Sequence, residues 1–384
     1  MRFDGIVLPD RARLREAVDD ILKGRGGGLL YLSLLGLFVG FLAIGCIFLL
    51  GHAHTTNTSD LVPWGIQITT YVYFVLISTG CTFVNFFGHV YYEEDYKPFA
   101  SRVIFLGIVT ALAAFLSLAT EMGRIDRMYY FLISPNPASP MFWMSVWYVA
   151  DIFVILLEYV NIRRNRHSRR AMWAAFFVAV ITYGTLGSLF GAVSSRAYYY
   201  SALLPIYFLF IASLTGGALA AIVAAVEWRK TPGDGSPLPA FFTTFLKIGL
   251  GLALFATFWR LMIGLAGHVA GSEVFRLTLA GTLFYGIFLG VVAPFLLLLA
   301  IRGPGGMIFT GLLILATQFK ARIDLVVGGF RVPVFRAYDI PEVVRYTPSI
   351  FEALVVVASV SLVAFVYLVC DRSGLFEKVP GKEA

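Results

Sequence analysis

Charge is what this 384-residue chain has least of. Asp, Glu, Lys and Arg make up only 14% of it while 59% is hydrophobic, against about 25% charged residues in soluble domains. A soluble fold of this size has no place to hide so much apolar surface, so a soluble protein is excluded. Cysteine is also scarce: Cys46, Cys81 and Cys370 fall inside or beside apolar stretches, with no CxxC and no nearby histidine. That pattern excludes a disulfide framework and points to packed thiols. The five histidines, His52, His54, His89, His167 and His268, lie in loops or at span edges. A transmembrane haem needs axial ligands deep in facing helices, so no haem is expected. There is no Cys quartet for an iron–sulfur cluster, no P-loop and no HExxH pattern. Any redox centre that serves this chain is therefore expected on another chain.

Long apolar runs are what the sequence does have. Crossing a hydrocarbon core of roughly 30 Å takes about 20 helical residues. Ten spans meet that need, at approximately 29–51, 64–88, 102–121, 141–162, 171–193, 201–228, 240–266, 275–301, 306–327 and 350–370. The expectation is an all-α integral membrane protein with a multi-pass domain over 29–370. An N-terminal segment, 1–28, and a tail, 371–384, flank it. Thr231 to Pro237, rich in Pro and Gly, is the one clear linker and suggests halves at 29–230 and 238–370. The net charge of +7 reads as topology, not as nucleic-acid binding. Nineteen of the thirty Lys and Arg residues fall on the N-terminal side of the membrane, which by the positive-inside rule puts both termini in the cytoplasm. The first 27 residues read as a basic amphipathic lead-in without a secretion-type cleavage site. Trp64, Tyr129, Tyr130, Trp143, Tyr198, Tyr199, Tyr200 and Trp228 gather near span boundaries, as interfacial anchors do.

Ionisable residues inside spans are costly and mark cavities or partners. Glu121 ends the third span and is followed by Arg124, Asp126 and Arg127; Arg260, Arg322, Asp324 and Glu352 lie near the same, outer face. The expectation is one polar pocket open to that face, or a set of interhelical ion pairs. Asp151 is about ten residues into the fourth span, close to the bilayer centre. Tyr148 stands one turn above it and Glu158 lies seven residues later, about 10 Å nearer the cytoplasm on the same helix face. Tyr148, Asp151 and Glu158 thus form a candidate proton ladder. The alternative for Glu158 is an interfacial pair with Arg163 and Arg164.

Several stretches in order carry a resemblance. Thr120-Glu-Met-Gly-Arg124 is followed by a hydrophobic segment and by Ser134-Pro-Asn-Pro-Ala-Ser-Pro-Met-Phe-Trp143. Pro63-Trp64-Gly65 opens a Gly- and Thr-rich helix, and Tyr183 precedes Arg196 and Pro205. Lys320-Ala-Arg322 leads to Val326-Val-Gly-Gly329 and then to Tyr346-Thr-Pro-Ser-Ile-Phe-Glu352. Over most of residues 60–370 the chain resembles the NrfD/PsrC (polysulfide reductase) family, in its longer ten-helix form. The resemblance implies a quinone-reactive subunit of a respiratory oxidoreductase, binding menaquinone or ubiquinone as substrate near the periplasmic face and carrying no haem or iron–sulfur cluster. The implied partners are a periplasmic-side, ferredoxin-like iron–sulfur subunit, a further catalytic subunit or multihaem cytochrome, and membrane lipid. The implied location is a bacterial or archaeal cytoplasmic membrane.

Carried over position by position, Glu121 matches the family's acidic residue, Arg322 its late-helix arginine and Tyr183 a head-group donor. Two stretches depart from the longer members: Ile181-Thr-Tyr-Gly184 lacks their histidine, and Phe142-Trp143 lacks an acidic residue after the Ser-Pro turn. Tyr71, with Gln67 one turn before it, is therefore a rival donor. Glu121 and Asp151 are the candidates for proton chemistry; Tyr183, Arg322, Arg124, Tyr71, Gln67 and Arg260 are the candidates for holding a quinone. Secondary transport and passive anchoring are the competing functions. Transport fits less well because no repeat or matched pair of broken helices is visible. The topology is testable with reporter fusions at Asp339 and after Ala384, which should give opposite signals; matching signals would mean a miscounted span.

Overall fold

A computed structural model describes residues 19, 20, 27–164, 166, 168–230, 239–267, 271–300, 303–335, 338 and 340–376. The N-terminal lead-in, the Thr231–Pro237 linker and the end of the tail lie largely or wholly outside the described residues. Ten long helices follow one another: α1 (Gly28–Leu50), α2 (Ile66–Tyr91), α3 (Glu93–Glu121), α4 (Pro140–Arg163) and α5 (Arg169–Gly191) come first. Then come α6 (Leu204–Lys230), α7 (Ala240–Ala266), α8 (Glu273–Ala300), α9 (Pro304–Val326) and α10 (Ile350–Arg372). No strand occurs among the described residues.

Nine of these helices, among the described residues, are long and apolar enough to cross a membrane. The tenth, α9, is a full 23 residues long. Its apolar middle is diluted by Pro304-Gly-Gly306 at the start and by Gln318, Lys320, Arg322 and Asp324 at the end. It nevertheless packs along α6 and α8 inside the bundle. With ten helices the two ends of the membrane domain meet: α1 runs antiparallel to α10, with Gly40 against Ala358 and Gly27 beside Arg372.

Local sequence explains many of the boundaries. Pro140 and Pro304 occupy the first turns of α4 and α9, where the missing N–H costs nothing. Ser168 caps α5 by accepting from the Ala171 N–H. Ser349 and Glu352 form a capping box at the start of α10. In α8 the turns from Thr282 to Val292 widen into a π-helix; Pro294 follows, and it lacks the N–H that would bond the Gly290 carbonyl.

Packing arranges the helices as two four-helix rings. In the first, α2, α3, α4 and α5 each touch the next and α5 returns to α2. In the second, α6, α7, α8 and α9 do the same. The α1–α10 pair leans on α3. The Thr231–Pro237 linker joins α6 to α7, which pack against each other in the second ring. Helix α2 joins the rings and is buried almost all round, whereas α4, α8 and α10 turn wide apolar faces outward.

The joint depends on two glycines. A Cβ on Gly80 would land on the Ala212 carbonyl and the Gly216 backbone, and one on Gly216 would land on the Gly80 backbone. Close backbone approach of this kind drives association where lipid offers no hydrophobic contrast. The end where α2 begins is called the Trp64 end below, and the opposite one the Arg102 end. At the Arg102 end, Arg102 reaches Glu227 and Asp371 at 3.1 Å each, and Lys230 reaches the same two carboxylates at 2.7 Å. This four-membered ionic ring fastens α3, α6 and α10 together. Gly216→Val is expected to separate α2 from α6, lowering the thermal midpoint in detergent by the equivalent of about 1–3 kcal/mol or more. Gly184→Ala, which meets open space, should leave that midpoint unchanged.

Candidate functional site

Polar groups of the first ring form a column that begins at the Trp64 end. Gln67 is fully buried on the first turn of α2. Its amide nitrogen donates to the Thr120 side chain at 3.0 Å and to the Thr120 carbonyl at 3.3 Å. Ser117 donates to the Gln67 carbonyl at 2.9 Å, and His52 lies 2.8 Å from the Thr120 carbonyl. The Gln67 side-chain oxygen is buried and has no partner among the described residues. Glu121, next in sequence to Thr120, is half-buried, with one carboxyl oxygen buried and likewise unpartnered.

One turn deeper, Tyr71 packs its ring against Phe115 and Tyr148 at 6.4 and 6.2 Å. Its hydroxyl meets the Met144 sulfur at 3.9 Å, a weak acceptor, and faces the Tyr148 hydroxyl. Tyr148 meets Tyr183 of α5 edge-on at 5.9 Å. Tyr183 faces Asp151 on α4 and Ser78 and Thr79 on α2. Asp151 is buried with one oxygen unpartnered in the same sense. It lies roughly 17 Å from either end of α4 at 1.5 Å per residue, as its place in the sequence suggests.

The column continues to the Arg102 end. Asn85 donates to Glu158 at 2.6 Å, and Tyr96 donates to Asn85 at 3.1 Å. Glu158 thus turns inward and does not pair with Arg163 or Arg164 at the surface. The buried residues of α4 are Met144, Tyr148, Asp151, Ile155 and Glu158, one stripe of the helix. Met144 meets Tyr71 and Glu158 meets Asn85, both 73 positions apart. That constant register places Ser78 opposite Asp151, and leaves the unpartnered hydroxyl of Thr82 between Asp151 and Glu158.

A second group sits in the other ring. Arg322 of α9 is fully buried. It donates to the Tyr207 hydroxyl at 2.5 Å and lies 4.8 Å from that ring, while two of its nitrogens have no partner among the described residues. Arg260 of α7 stacks on Tyr198 at 4.3 Å, lies 5.8 Å from the Tyr207 ring and donates to the Tyr198 carbonyl at 3.2 Å. Aromatic side chains pack nearby, with Arg322 6.0 Å from the Phe208 ring. Trp64 is 5.3 Å from Phe190 and 5.5 Å from Phe330, and Phe190 is 5.7 Å from Phe208.

The residues expected to share one outer pocket fall on the two rings. Glu121, Gln67, Tyr71, Tyr183 and Asp151 line the first ring, and Arg322 and Arg260 meet around Tyr207 in the second. Two other expected members lie elsewhere, and a third, Glu352, stands near Glu121 with its oxygens already engaged. Arg124 is exposed and forks onto Asp126 at 3.0 and 2.9 Å; that hydrogen-bonded pairing holds the Asp126 carboxyl below its usual range. Asp324 pairs with Lys320 at 2.5 Å. Glu352 is buried and saturated, accepting from the Ser349 N–H at 2.7 Å, the Asn57 N–H at 3.1 Å and Tyr346 at 2.8 Å. Burial pushes the Tyr346 hydroxyl well up, the Ile66 N–H pulls it partly back, and Glu352 pushes it up again, so Tyr346 stays a donor.

Sequence reasoning passed over His52, Thr120, Ser117, Asn85, Tyr96 and Tyr207. Only Asn85 left a signal, as an amide deep in an apolar span.

Comparison with known proteins agrees with this architecture. The model of the polysulphide reductase NrfD family matches residues 54–333. The Hdr-like menaquinol oxidoreductase integral membrane subunit of Archaeoglobus fulgidus is 26% identical, with 93% of this chain and 96% of its own aligned. A selenate reductase subunit of Mesobacillus selenatarsenatis is 22% identical over 79% and 83%, respectively. A putative dimethyl sulfoxide reductase membrane subunit of Halobacterium salinarum is 25% identical over 72% and 71%.

The different surroundings of two expected site residues make them separable by mutation. Glu352→Ala strands three donors and breaks a cap, so the thermal midpoint should fall by the equivalent of about 2–4 kcal/mol. Arg124→Ala should change neither the midpoint nor turnover of the assembled complex. A loss of turnover in Arg124→Ala would restore that residue to the site.

Proposed function

The chain belongs to the polysulphide reductase NrfD family and is a multi-pass membrane subunit of an oxidoreductase complex; from that premise we propose that its first ring takes a quinone head group at the Trp64 end. The polar column from Gln67 to Glu158 is the observation that carries this reading. Two-electron chemistry on a quinone needs an apolar slot, a few hydrogen-bonding groups and a route for two protons. Aromatic rings of Tyr71, Tyr148 and Phe115 supply the slot, and Gln67, Glu121 and Tyr71 supply groups at its outer end. Tyr183 and Asp151 continue inward from there.

Electrons pass between the head group and an iron–sulfur subunit docked at the Trp64 end, which in this reading faces the periplasm. The quinone is menaquinone or ubiquinone, and both termini lie in the cytoplasm of a bacterial or archaeal cell. The relatives' names point the same way, one being described as a menaquinol oxidoreductase subunit. Arg322 and Arg260 belong to the second ring, around Tyr207, and this reading gives them no direct contact with the head group.

Protons travel along the column. A carboxyl near the bilayer centre is disfavoured by about 2.5 kcal/mol or more on insertion scales, and Asp151 has no basic partner among the described residues. Its neighbours are hydroxyls: Tyr183 and, across the bundle, Ser78. Such groups relay a proton without neutralising the carboxyl. Glu158, held by Asn85, then delivers to or collects from the Arg102 end, so turnover moves charge across the membrane.

Two variants test this reading in the complex reconstituted in liposomes. Glu121→Gln should lower quinone-linked turnover by about 100-fold, in the range of lost acid–base catalysis, with the complex still assembled. Asp151→Asn should retain electron transfer and lose the membrane potential that accompanies it. Unchanged potential at full turnover would end the relay.

A further inference from the structure

The hydrogen bonds around Thr120 fix which way Gln67 points. An amide side chain can ordinarily be turned over, because its oxygen and nitrogen look alike. Here chemistry decides. The Thr120 carbonyl only accepts, and the Thr120 hydroxyl spends its hydrogen on the Ser117 carbonyl at 2.7 Å. Both atoms facing the Gln67 amide are therefore acceptors, so the NH2 group must meet them, at 3.3 and 3.0 Å. The Gln67 oxygen is forced to the other side, where it is fully buried and has no donor among the described residues. The same carbonyl settles one ring nitrogen of His52: at 2.8 Å its Nε2 must donate.

A buried acceptor without a donor costs free energy until a donor arrives. The other ionisable groups of this column do not discriminate between ligands. Glu121 and Asp151 accept or donate according to their protonation, and the Tyr71 and Tyr148 hydroxyls do either by rotation. An amide oxygen only accepts. A quinone presents two carbonyl oxygens, and one of them against Gln67 sets acceptor on acceptor. A hydroquinone presents hydroxyls and supplies the missing hydrogen.

Resting on the head-group site proposed above, we propose that Gln67 is a specificity residue that selects the hydroquinone form by accepting a hydrogen bond from one of its hydroxyls. The site then stabilises the reduced ligand and favours hydroquinone as the incoming substrate. A tenfold preference raises the potential of the bound two-electron couple by about 30 mV, which shifts it toward holding its electrons until the partner centre draws them.

The test is a pair of binding titrations on the full chain in detergent, followed by quenching of tryptophan fluorescence. The probes are a short-chain menaquinone analogue and, under anaerobic conditions, its hydroquinone. The hydroquinone should bind about tenfold more tightly. Gln67→Leu should bring the ratio close to one by weakening hydroquinone binding alone. Gln67→Met removes the amide oxygen at nearly the same length and should bring the ratio close to one in the same way, which provides a second variant if Gln67→Leu does not fold. Equal affinity for both forms in the wild-type chain overturns the inference, as does an equal loss for both in Gln67→Leu, and either result leaves the head-group site standing. Failure of both forms to bind overturns the site itself.

Discussion

Helix α2 is buried around its circumference yet carries Gln67, Thr69, Thr70, Ser78, Thr79, Thr82 and Asn85. With neither water nor lipid headgroups in reach, each of those side chains must find its partner within the protein or remain unpaired at a cost. The threonines near its start return their hydroxyls to the backbone, Thr69 to Gly65 and Thr70 to Ile66. The remaining polar residues look across the first ring to α3, α4 and α5. What makes this burial possible is the contact of Gly80 with Gly216, which lets a second ring close against the first. The column of polar groups follows from that contact.

Within the column, incomplete pairing has a direction. Near the Trp64 end the hydrogen bonds of Thr120 hold Gln67 and leave its oxygen bare. In the middle, Asp151 is surrounded by hydroxyls, with no cation among the described residues. At the Arg102 end Glu158 is held by Asn85 and through it by Tyr96. The two proposals, a ligand that brings hydrogens to the Trp64 end and protons carried along the column from there, rest on this one arrangement. The second ring is built differently: its cations, Arg260 and Arg322, lie against the aromatic rings of Tyr198 and Tyr207.

Much of the fold was legible because lipid enforces a simple code. Apolar length marked the helices, and even α9 was visible despite the charges that dilute it. The stripe of Tyr148, Asp151 and Glu158 followed from helical spacing alone. The grouping of the helices into two rings was not legible, since the Pro/Gly linker after α6 is conspicuous while the loop before α6 is an ordinary one. The pairing of side chains was hidden too. Arg124 and Glu121 are three residues apart in sequence, yet Arg124 turns outward to Asp126. Glu352 looked like a pocket acid and is a helix cap, a role that Ser349 three residues before it announces. Gln67 appeared as a quinone-holding candidate beside Tyr71, but the fixed orientation of its amide was hidden because it depends on Thr120, fifty-three positions away.

The central claim is that the head group enters the first ring, between α2 and α4, and not the arginine-lined second ring. The most direct measurement is photolabelling of the assembled complex with an azido-quinone, followed by mapping of the labelled peptides. Label in the segments holding Gln67–Tyr71, Phe115–Glu121 or Met144–Asp151, displaced by excess unlabelled quinone, is the predicted result. Displaceable label confined to the segments holding Tyr207, Arg260 or Arg322 would contradict it.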